Sequence, residues 1–463
     1  MATPQSPFSF LDGLFERVAA GPQPPQWLVH EVQQRLVLFL NHVLMQEPQA
    51  QERLKRQKGK PVKVQWGEVH LTLAATAAGE ASLWAWMLLI ALVLPVAFTF
   101  AQLGRHFPHA GGAPHLIGRA FGPRMERISA LLFLAVLPVG LPAALNISTG
   151  FFQALFAIGR GEALLIQLAT LGAMLLLGQR PAKASGMVQG AIALAIIATV
   201  GLIWWAGDLP HANQPLLPEL SGSWHLLPVA LGMMFWCFVG IEAFTHMGEE
   251  FKNPERDFPL ALLLGVLLAG LVYWAFSVAV LSFHAYGDVQ TDAASLPRML
   301  DQLFGAKARW LSALIGYLAC FASMNVYVQG FARLIWSLAD EGKLPRPLAQ
   351  RNHHGVPARA LLLVVVICAL CASLAAVMQL SVDQLIRYAN GNFVLIYLFS
   401  MAAGWVLLKG LWRWLAAFSA LLCALVMVAL GNDAWYAVCL LLALAALDCI
   451  RSRRTPTSPS SAH

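Results

Sequence analysis

Eleven apolar runs, each near the length that crosses a hydrocarbon layer, fill the chain between residues 82 and 450. They lie at about 82–104, 128–156, 162–178, 187–206, 226–246, 259–283, 308–338, 358–378, 385–408, 411–430 and 434–450. Roughly 30 Å of hydrocarbon takes about 20 residues at 1.5 Å per residue, and no water is present there to satisfy an open backbone. Repeated runs of this length leave an all-α polytopic membrane protein as the expected fold class. Only 12% of the residues are charged and 58% are hydrophobic, against about 25% charged in soluble proteins. The net charge of +7 lies mostly in short loops, so no nucleic-acid partner is expected. The seven cysteines all sit in apolar runs. Cys368 and Cys371 share a C-A-L-C spacing inside one run, where thiols pack as small hydrophobes.

Loop charge sets the expected orientation, because Lys and Arg accumulate on the cytoplasmic side. Loops 105–127, 179–186, 247–258, 340–359 and 409–413, with the C-terminal tail, carry 17 Lys and Arg; the alternate loops carry 5. The C-terminus is therefore expected in the cytoplasm. Eleven spans then place the start of the first span outside. The residues before it carry eight Lys and Arg, six of them between Arg53 and Lys63, and no export signal. Three readings stay open: this segment crosses, the first span does not insert, or a span has been replaced by a foreign segment.

Residues 1–79 differ in kind. "WLVHEVQQRLVLFLNHVLMQ" has apolar residues at helical spacing around Glu31, Gln33 and Arg35, which predicts an amphipathic helix. "PVKVQW" alternates and predicts a short strand or hairpin. A small α+β extension is expected here, and the tail 455–463 reads as disordered.

The richest motif is "FWCFVGIEAFTHMGEEFKNPERDFP" (Phe235–Pro259). It places a carboxylate, Glu242, inside an apolar run. Such an acid costs several kcal/mol unless it is paired or faces a cavity. It is either a coupling or gating acid, or a satisfied structural acid between helices. Gly240, two residues before, permits positive φ. Asn253-Pro254 starts a turn. Lys252 and Arg256 lie among Glu249, Glu250, Glu255 and Asp257, and either latch neighbouring helices or anchor a solvated loop. "LPVGLPAALN" places Pro138, Gly140 and Pro142 in one span, predicting a kink that borders a substrate path or serves packing alone. "CFASMNVYVQGFAR" puts Ser323, Asn325, Tyr327 and Gln329 in one span, where polar groups glue helices or line a path. "RYANGN" offers an outer gate. His106, His109 and His115 share a loop that reads as solvated. No HxxxH, HExxH or Walker motif occurs, so no metal, cofactor or catalytic residue is expected, and transport would run on gradients.

These motifs resemble the amino acid–polyamine–organocation transporter superfamily. The match rests on "FVGIEAFTHMGEEFKNPERDFPLA", on "LGRHFPHAGGAPHLIGRAFGPRMERI" and on "FARLIWSLADEGKLP". At finer grain, "SLWAW", "LPVGLPAAL", "MFWCFVG", "LLAGLVYW" and "YANG" are similar to the bacterial exporters of L-methionine and branched-chain amino acids. The resemblance covers residues 80–454. It implies an inverted-repeat, LeuT-like fold, but the family's first helix, with its glycine-rich break, is missing before "SLWAW". Residues 1–79 resemble instead a fragment of a sterol-carrier-like accessory factor of ubiquinone biosynthesis.

The resemblance implies that the helix breaks over Phe238, Val239, Gly240 and Ile241, so that free backbone groups meet the substrate. It places Trp236 as a lid, unless Trp236 only packs a helix. Ser323 and Asn325 would face the substrate from the family's eighth helix, beside Pro138 and Gly140. The expected function is secondary export of neutral apolar L-amino acids across a bacterial inner membrane, with a proton or ion as coupling partner and the oligomeric state open. Two alternatives stand beside it: a broken permease that keeps only a lipid- or quinone-handling fragment, and a membrane scaffold without transport.

Overall fold

The computed structural model describes residues 79, 81–156, 158–211, 227, 237, 240–251, 253–285, 295–305, 308–380, 382–431 and 434–454. The expected N-terminal helix and strand, and the tail 455–463, lie outside the described residues. Among those described, the regular structure is helical throughout. In chain order it comprises α1 (Ala81–His106), α2 (Gly112–Phe121), α3 (Pro123–Leu134), α4 (Leu137–Leu155), α5 (Arg160–Gly178), α6 (Ala182–Ala206), α7 (Ile241–Phe244), α8 (Pro254–Ser282), α9 (Ser295–Phe304), α10 (Arg309–Asp340), α11 (Ala358–Met378), α12 (Val382–Leu407), α13 (Leu411–Ala429) and α14 (Ala434–Arg454).

Among the described residues, nine stretches are long and apolar enough to cross a membrane, and each falls on one of the eleven apolar runs. A tenth run becomes the shorter apolar helix Ala434–Ile450. Most of the run at 226–246 lies outside the described residues. α3 and α4 share one run, yet a two-residue turn at Ala135 and Val136 parts them. The cause is Pro138 near the start of α4. A proline ring has no N–H and clashes with the carbonyl four residues back, here that of Leu134, so the helix ends before the proline instead of bending through it. Pro142 lies inside α4. Pro254, in the first turn of α8, is at a position where its missing N–H costs nothing.

The core is continuous across the bundle. The most extensive packing joins α1 to α8, α12 to α13, and α10 to α4. Buried Trp86 of α1 stacks on Tyr273 of α8 at 5.3 Å and donates its Nε1–H to Ser277 Oγ at 2.6 Å. Many large apolar side chains face outward, among them Leu165, Leu176, Trp205, Val377 and Trp414. In water such a surface would drive aggregation; in a bilayer it is the surface expected of a lipid-facing helix.

The positively charged loops gather at one end. Arg124 and Arg127 of α3 pair with Asp448 of α14 at 3.0 and 2.9 Å. Lys343 reaches Glu126 at 2.8 Å. Asn352 Nδ2 donates to the Gln179 carbonyl at 2.9 Å, and Gly248 abuts Pro108. Loops 105–127, 179–186, 247–258 and 340–359 thus share an end of the bundle with the close of α14.

Phe133, at the hub of α3, contacts Phe331 of α10 at 4.9 Å and Phe393 of α12 at 6.4 Å between ring centroids. Phe133→Ala should cost about 3 kcal/mol through the cavity it leaves, read as a lower midpoint of thermal unfolding in detergent. An unchanged midpoint would show that α3 does not depend on this contact.

Candidate functional site

Glu242 is fully buried, at 0% exposure. It is the second residue of α7, a single turn preceded by Gly240 at φ +126°. Only glycine adopts that backbone cheaply, and a Cβ there would lie 3.3 Å from the Tyr327 hydroxyl. The chain thus leaves helical geometry at Gly240, immediately before α7. Phe238 and Val239 lie outside the described residues.

The described partners of the carboxylate are neutral. Tyr327 of α10 donates its hydroxyl proton to Glu242 Oε1 at 2.8 Å, and the Gly240 N–H donates to Oε2 at 3.0 Å. The amides of Gly240 and Ile241 both donate to the Tyr397 hydroxyl of α12, each at 3.1 Å. The start of α7 is thus held by one tyrosine from α10 and one from α12. Hydrogen bonds to a charged group contribute about 1.5–3 kcal/mol each, and burial of the acid costs several kcal/mol. The two are close in size, so the neutral donors offset the burial of the acid.

Aromatic rings surround the acid. Phe100 of α1 meets Tyr397 edge-on at 5.4 Å, and Tyr327 lies 5.6 Å from Phe393 and 6.2 Å from Phe331. His246, one turn past Glu242, stacks on Phe133 at 5.2 Å and is 1% exposed. Its Nδ1 lies 3.0 Å from the Ala110 carbonyl, and its Nε2 makes no hydrogen bond among the described residues. The Tyr273 hydroxyl donates to the Cys237 carbonyl at 3.3 Å, so α8 also reaches the chain just before the break.

The other expected site residues separate. Trp236 and Lys252 lie outside the described residues. Ile241 is buried beside Glu242 and bonds Tyr397. Ser323 is exposed one turn before Tyr327, on the same helical face. Asn325 is buried on another face of α10 and donates Nδ2–H to Ser185 Oγ of α6 at 3.0 Å, a helix-to-helix bond away from the acid. Pro138 is exposed. Gly140 packs toward Ala389 of α12, about 12 Å along the helix from Tyr397 at 1.5 Å per residue. Arg256 is exposed in the first turn of α8. The ion pairs at this end are carried instead by Lys343, which touches Glu126 and Glu341. Burial lowers the Lys343 pKa, but hydrogen bonds to those two carboxylates outweigh it and hold the ammonium above the ordinary lysine value.

Tyr327 and Tyr397 complete the site, and neither ranks among the candidates from sequence. Tyr327 stands in the quoted run "CFASMNVYVQGFAR", four residues after Ser323, so helical spacing alone puts both on one face. Nothing local marks Tyr397, which reaches Glu242 only through the packing of α12.

A buried, neutrally bonded carboxylate at the start of a one-turn helix, inside a bundle of membrane-length helices, defines a multi-pass membrane protein with an ionisable group in its interior. The chain belongs to the amino acid permease family, within the amino acid–polyamine–organocation superfamily: the family model "Amino acid permease" matches residues 67–446. It is 49% identical over 388 residues to the L-methionine/branched-chain amino acid exporter YjeH of Escherichia coli K12, covering 83% of this chain and 91% of that protein. It is 26% identical to the uncharacterized amino acid permease YecA of Bacillus subtilis 168, over 77% and 84% of the two chains. It is 24% identical to the cadaverine/lysine antiporter of Escherichia coli K12, over 62% and 66%. The likeness of residues 1–79 to a ubiquinone accessory factor finds no support in these relatives.

Gly240→Ala should introduce about 1–3 kcal/mol of backbone strain and push on the Tyr327 hydroxyl. The expected outcome is a lower unfolding midpoint than that of Gly265→Ala, a change in the middle of α8 where nothing lies within 4 Å of the added carbon. Equal midpoints would mean that the positive φ is not required.

Proposed function

We propose that this chain is a secondary carrier that exports neutral, apolar L-amino acids by alternating access. Methionine, leucine, isoleucine and valine are the expected cargo. The observation that carries the reading is the Glu242 carboxylate, buried among aromatic rings and held by neutral donors, the Tyr327 hydroxyl and the Gly240 amide. A proton on Glu242 changes the charge of the centre by one without breaking an ion pair, and that is the requirement for coupling cargo movement to a proton. The ring-lined surroundings suit an apolar side chain, and the name of the 49% identical exporter supports the cargo class.

In this reading the break at Gly240 exposes backbone groups to the cargo, as half-helix ends do in carriers with discontinuous helices. Tyr327 and Tyr397 hold the acid from the two helices that move relative to it. The permease body is residues 80–454, an inverted-repeat bundle of membrane spans, with residues 1–79 and 455–463 outside it. The bundle lies in a bacterial inner membrane. The loop-charge count assigns the end carrying Lys343 and the C-terminus to the cytoplasm.

Export is tested with cells loaded with labelled methionine. Efflux should exceed that of cells with an empty vector, and equal efflux would end the reading. Glu242→Gln should lower efflux at least about tenfold, or ~1.4 kcal/mol, with unchanged protein level, and should flatten the dependence of efflux on pH. Efflux at the unmodified level would make Glu242 a packing residue.

A further inference from the structure

Two stretches without a single acid meet at one end of the bundle. No Asp or Glu occurs from residue 81 to 125, nor from 384 to 432. The first stretch holds α1 and α2, and the second holds most of α12 and all of α13. Leu103 of α1, Leu116 of α2 and Leu408, just past α12, form a small core there, with Phe107 and Leu407 packed on it. Gly410, at φ +59°, turns the chain directly into α13. α1 then meets α13 through Phe98 and Trp412, 6.0 Å apart between ring centroids.

Four cations border this core. Arg105 lies in the last turn of α1, Arg119 one turn past Leu116, Lys409 beside Leu408, and Arg413 in the first turn of α13. All four are exposed. The lysine and arginine ion pairs at this end are made by Arg124, Arg127 and Lys343; these four make none among the described residues. Two of them rest on rings instead. The Arg119 guanidinium lies 5.1 Å from the centroid of Phe107, and that of Arg413 lies 5.5 Å from the centroid of Trp405. A ring holds a guanidinium by its face and leaves the N–H edge to meet the oxygens of a phosphate. Carboxylates approach on one side only through α8: Phe258 packs against Gly104, and Glu255 and Asp257 share its turn. The side chains of Glu249, Glu250 and Lys252 lie outside the described residues. Arg119, Lys409 and Arg413 have no acid on their own elements.

The apolar part of this face decides what kind of anion fits. Trp405, Trp412, Trp414 and Leu411 are exposed beside the cations. Tryptophan rings settle at headgroup level in a bilayer, and long basic stems lie along apolar surface with the charge among the headgroups. A phosphodiester with one negative charge, tethered to acyl chains, matches both halves. Its oxygens meet the guanidinium edges and the ammonium, and its chains cover the tryptophans. A soluble phosphate would meet the cations and leave the rings bare.

We infer that the face formed by α2, the turn between α12 and α13, and the start of α13 binds the headgroup of an anionic phospholipid. One headgroup there joins Arg119 to Lys409 and Arg413, residues nearly three hundred positions apart, and so ties α2 to the α12–α13 pair. The site does not depend on the carrier reading or on Glu242.

The test uses the full chain, purified in a neutral detergent and given phosphatidylglycerol or its zwitterionic counterpart phosphatidylcholine. Phosphatidylglycerol should raise the thermal unfolding midpoint by about 2–4 °C more than phosphatidylcholine does. Native mass spectrometry should find phosphatidylglycerol retained in preference. A cation beside an anionic lipid surface is worth about fivefold in affinity. The triple variant Arg119→Gln, Lys409→Gln, Arg413→Gln should therefore weaken retention at least about tenfold and abolish the difference in midpoint. The control triple Arg180→Gln, Lys183→Gln, Arg359→Gln removes the same charge from other exposed positions and should keep both. Should the first triple not fold, Lys409→Gln alone should weaken retention about fivefold. Equal midpoints in the two lipids, or an equal loss in the control triple, overturns the site. A matching rise with inorganic phosphate would show a free-anion site instead, and one with poly-glutamate would show a face for an acidic protein segment; either result overturns the lipid.

Discussion

The structure turns on where the Glu242 carboxylate finds its hydrogen bonds. A buried acid surrounded by rings must be satisfied locally or be neutral. Here the satisfaction comes from Tyr327 and from the acid's own chain at Gly240. That second bond exists only because the chain leaves helical geometry at Gly240 and exposes its amide. Break and acid therefore depend on each other: the interrupted backbone supplies a donor to the carboxylate, and the carboxylate, with Tyr397, satisfies amides that an interrupted helix would otherwise leave bare.

The packing follows from this. α10 and α12 each send one tyrosine to the same short segment, and Phe133, Phe331, Phe393 and Phe100 fill the space around those hydroxyls. α1 and α8 are joined separately, by the Trp86–Tyr273 stack and the Trp86–Ser277 hydrogen bond. The tyrosine of that stack also reaches the carbonyl of Cys237. The broken segment is thus gripped on one flank by α8 and on the other by α10 and α12. Its conformation therefore depends on the relative position of three helices.

Much of the bundle was legible in the sequence because apolar length is a local property. The nine membrane-length stretches fall on runs visible by eye, and the gathering of charged loops at one end follows from their alternation. Gly240 and Glu242 were legible for the same reason: a glycine and an acid in an apolar run violate a local rule. Pro138 marked a disturbance, but its effect falls two and three residues upstream, at Val136 and Ala135, because a proline acts on the turn before it. Partners across helices were not legible. Ser323, Asn325 and Tyr327 lie within five residues, and only packing decides that the tyrosine meets the acid while the asparagine meets Ser185. The stacking of His109 on His115 was not legible either, because each looks solvated alone; His109 lies near Glu341, more than two hundred residues away, and His115 near Glu126.

Tyr397 has a consequence beyond holding the break. One hydroxyl accepts two successive amides, but the two do not depend on it equally. The Gly240 amide is shared with the Glu242 carboxylate, whereas Tyr397 is the described acceptor of the Ile241 amide. A displacement of α12 from α7 would leave the Ile241 N–H bare, at about 1–3 kcal/mol where no water reaches it, and would leave the Gly240 N–H to the carboxylate. The tyrosine therefore acts as a latch whose strength is set by one amide, with the acid as the second holder of the other.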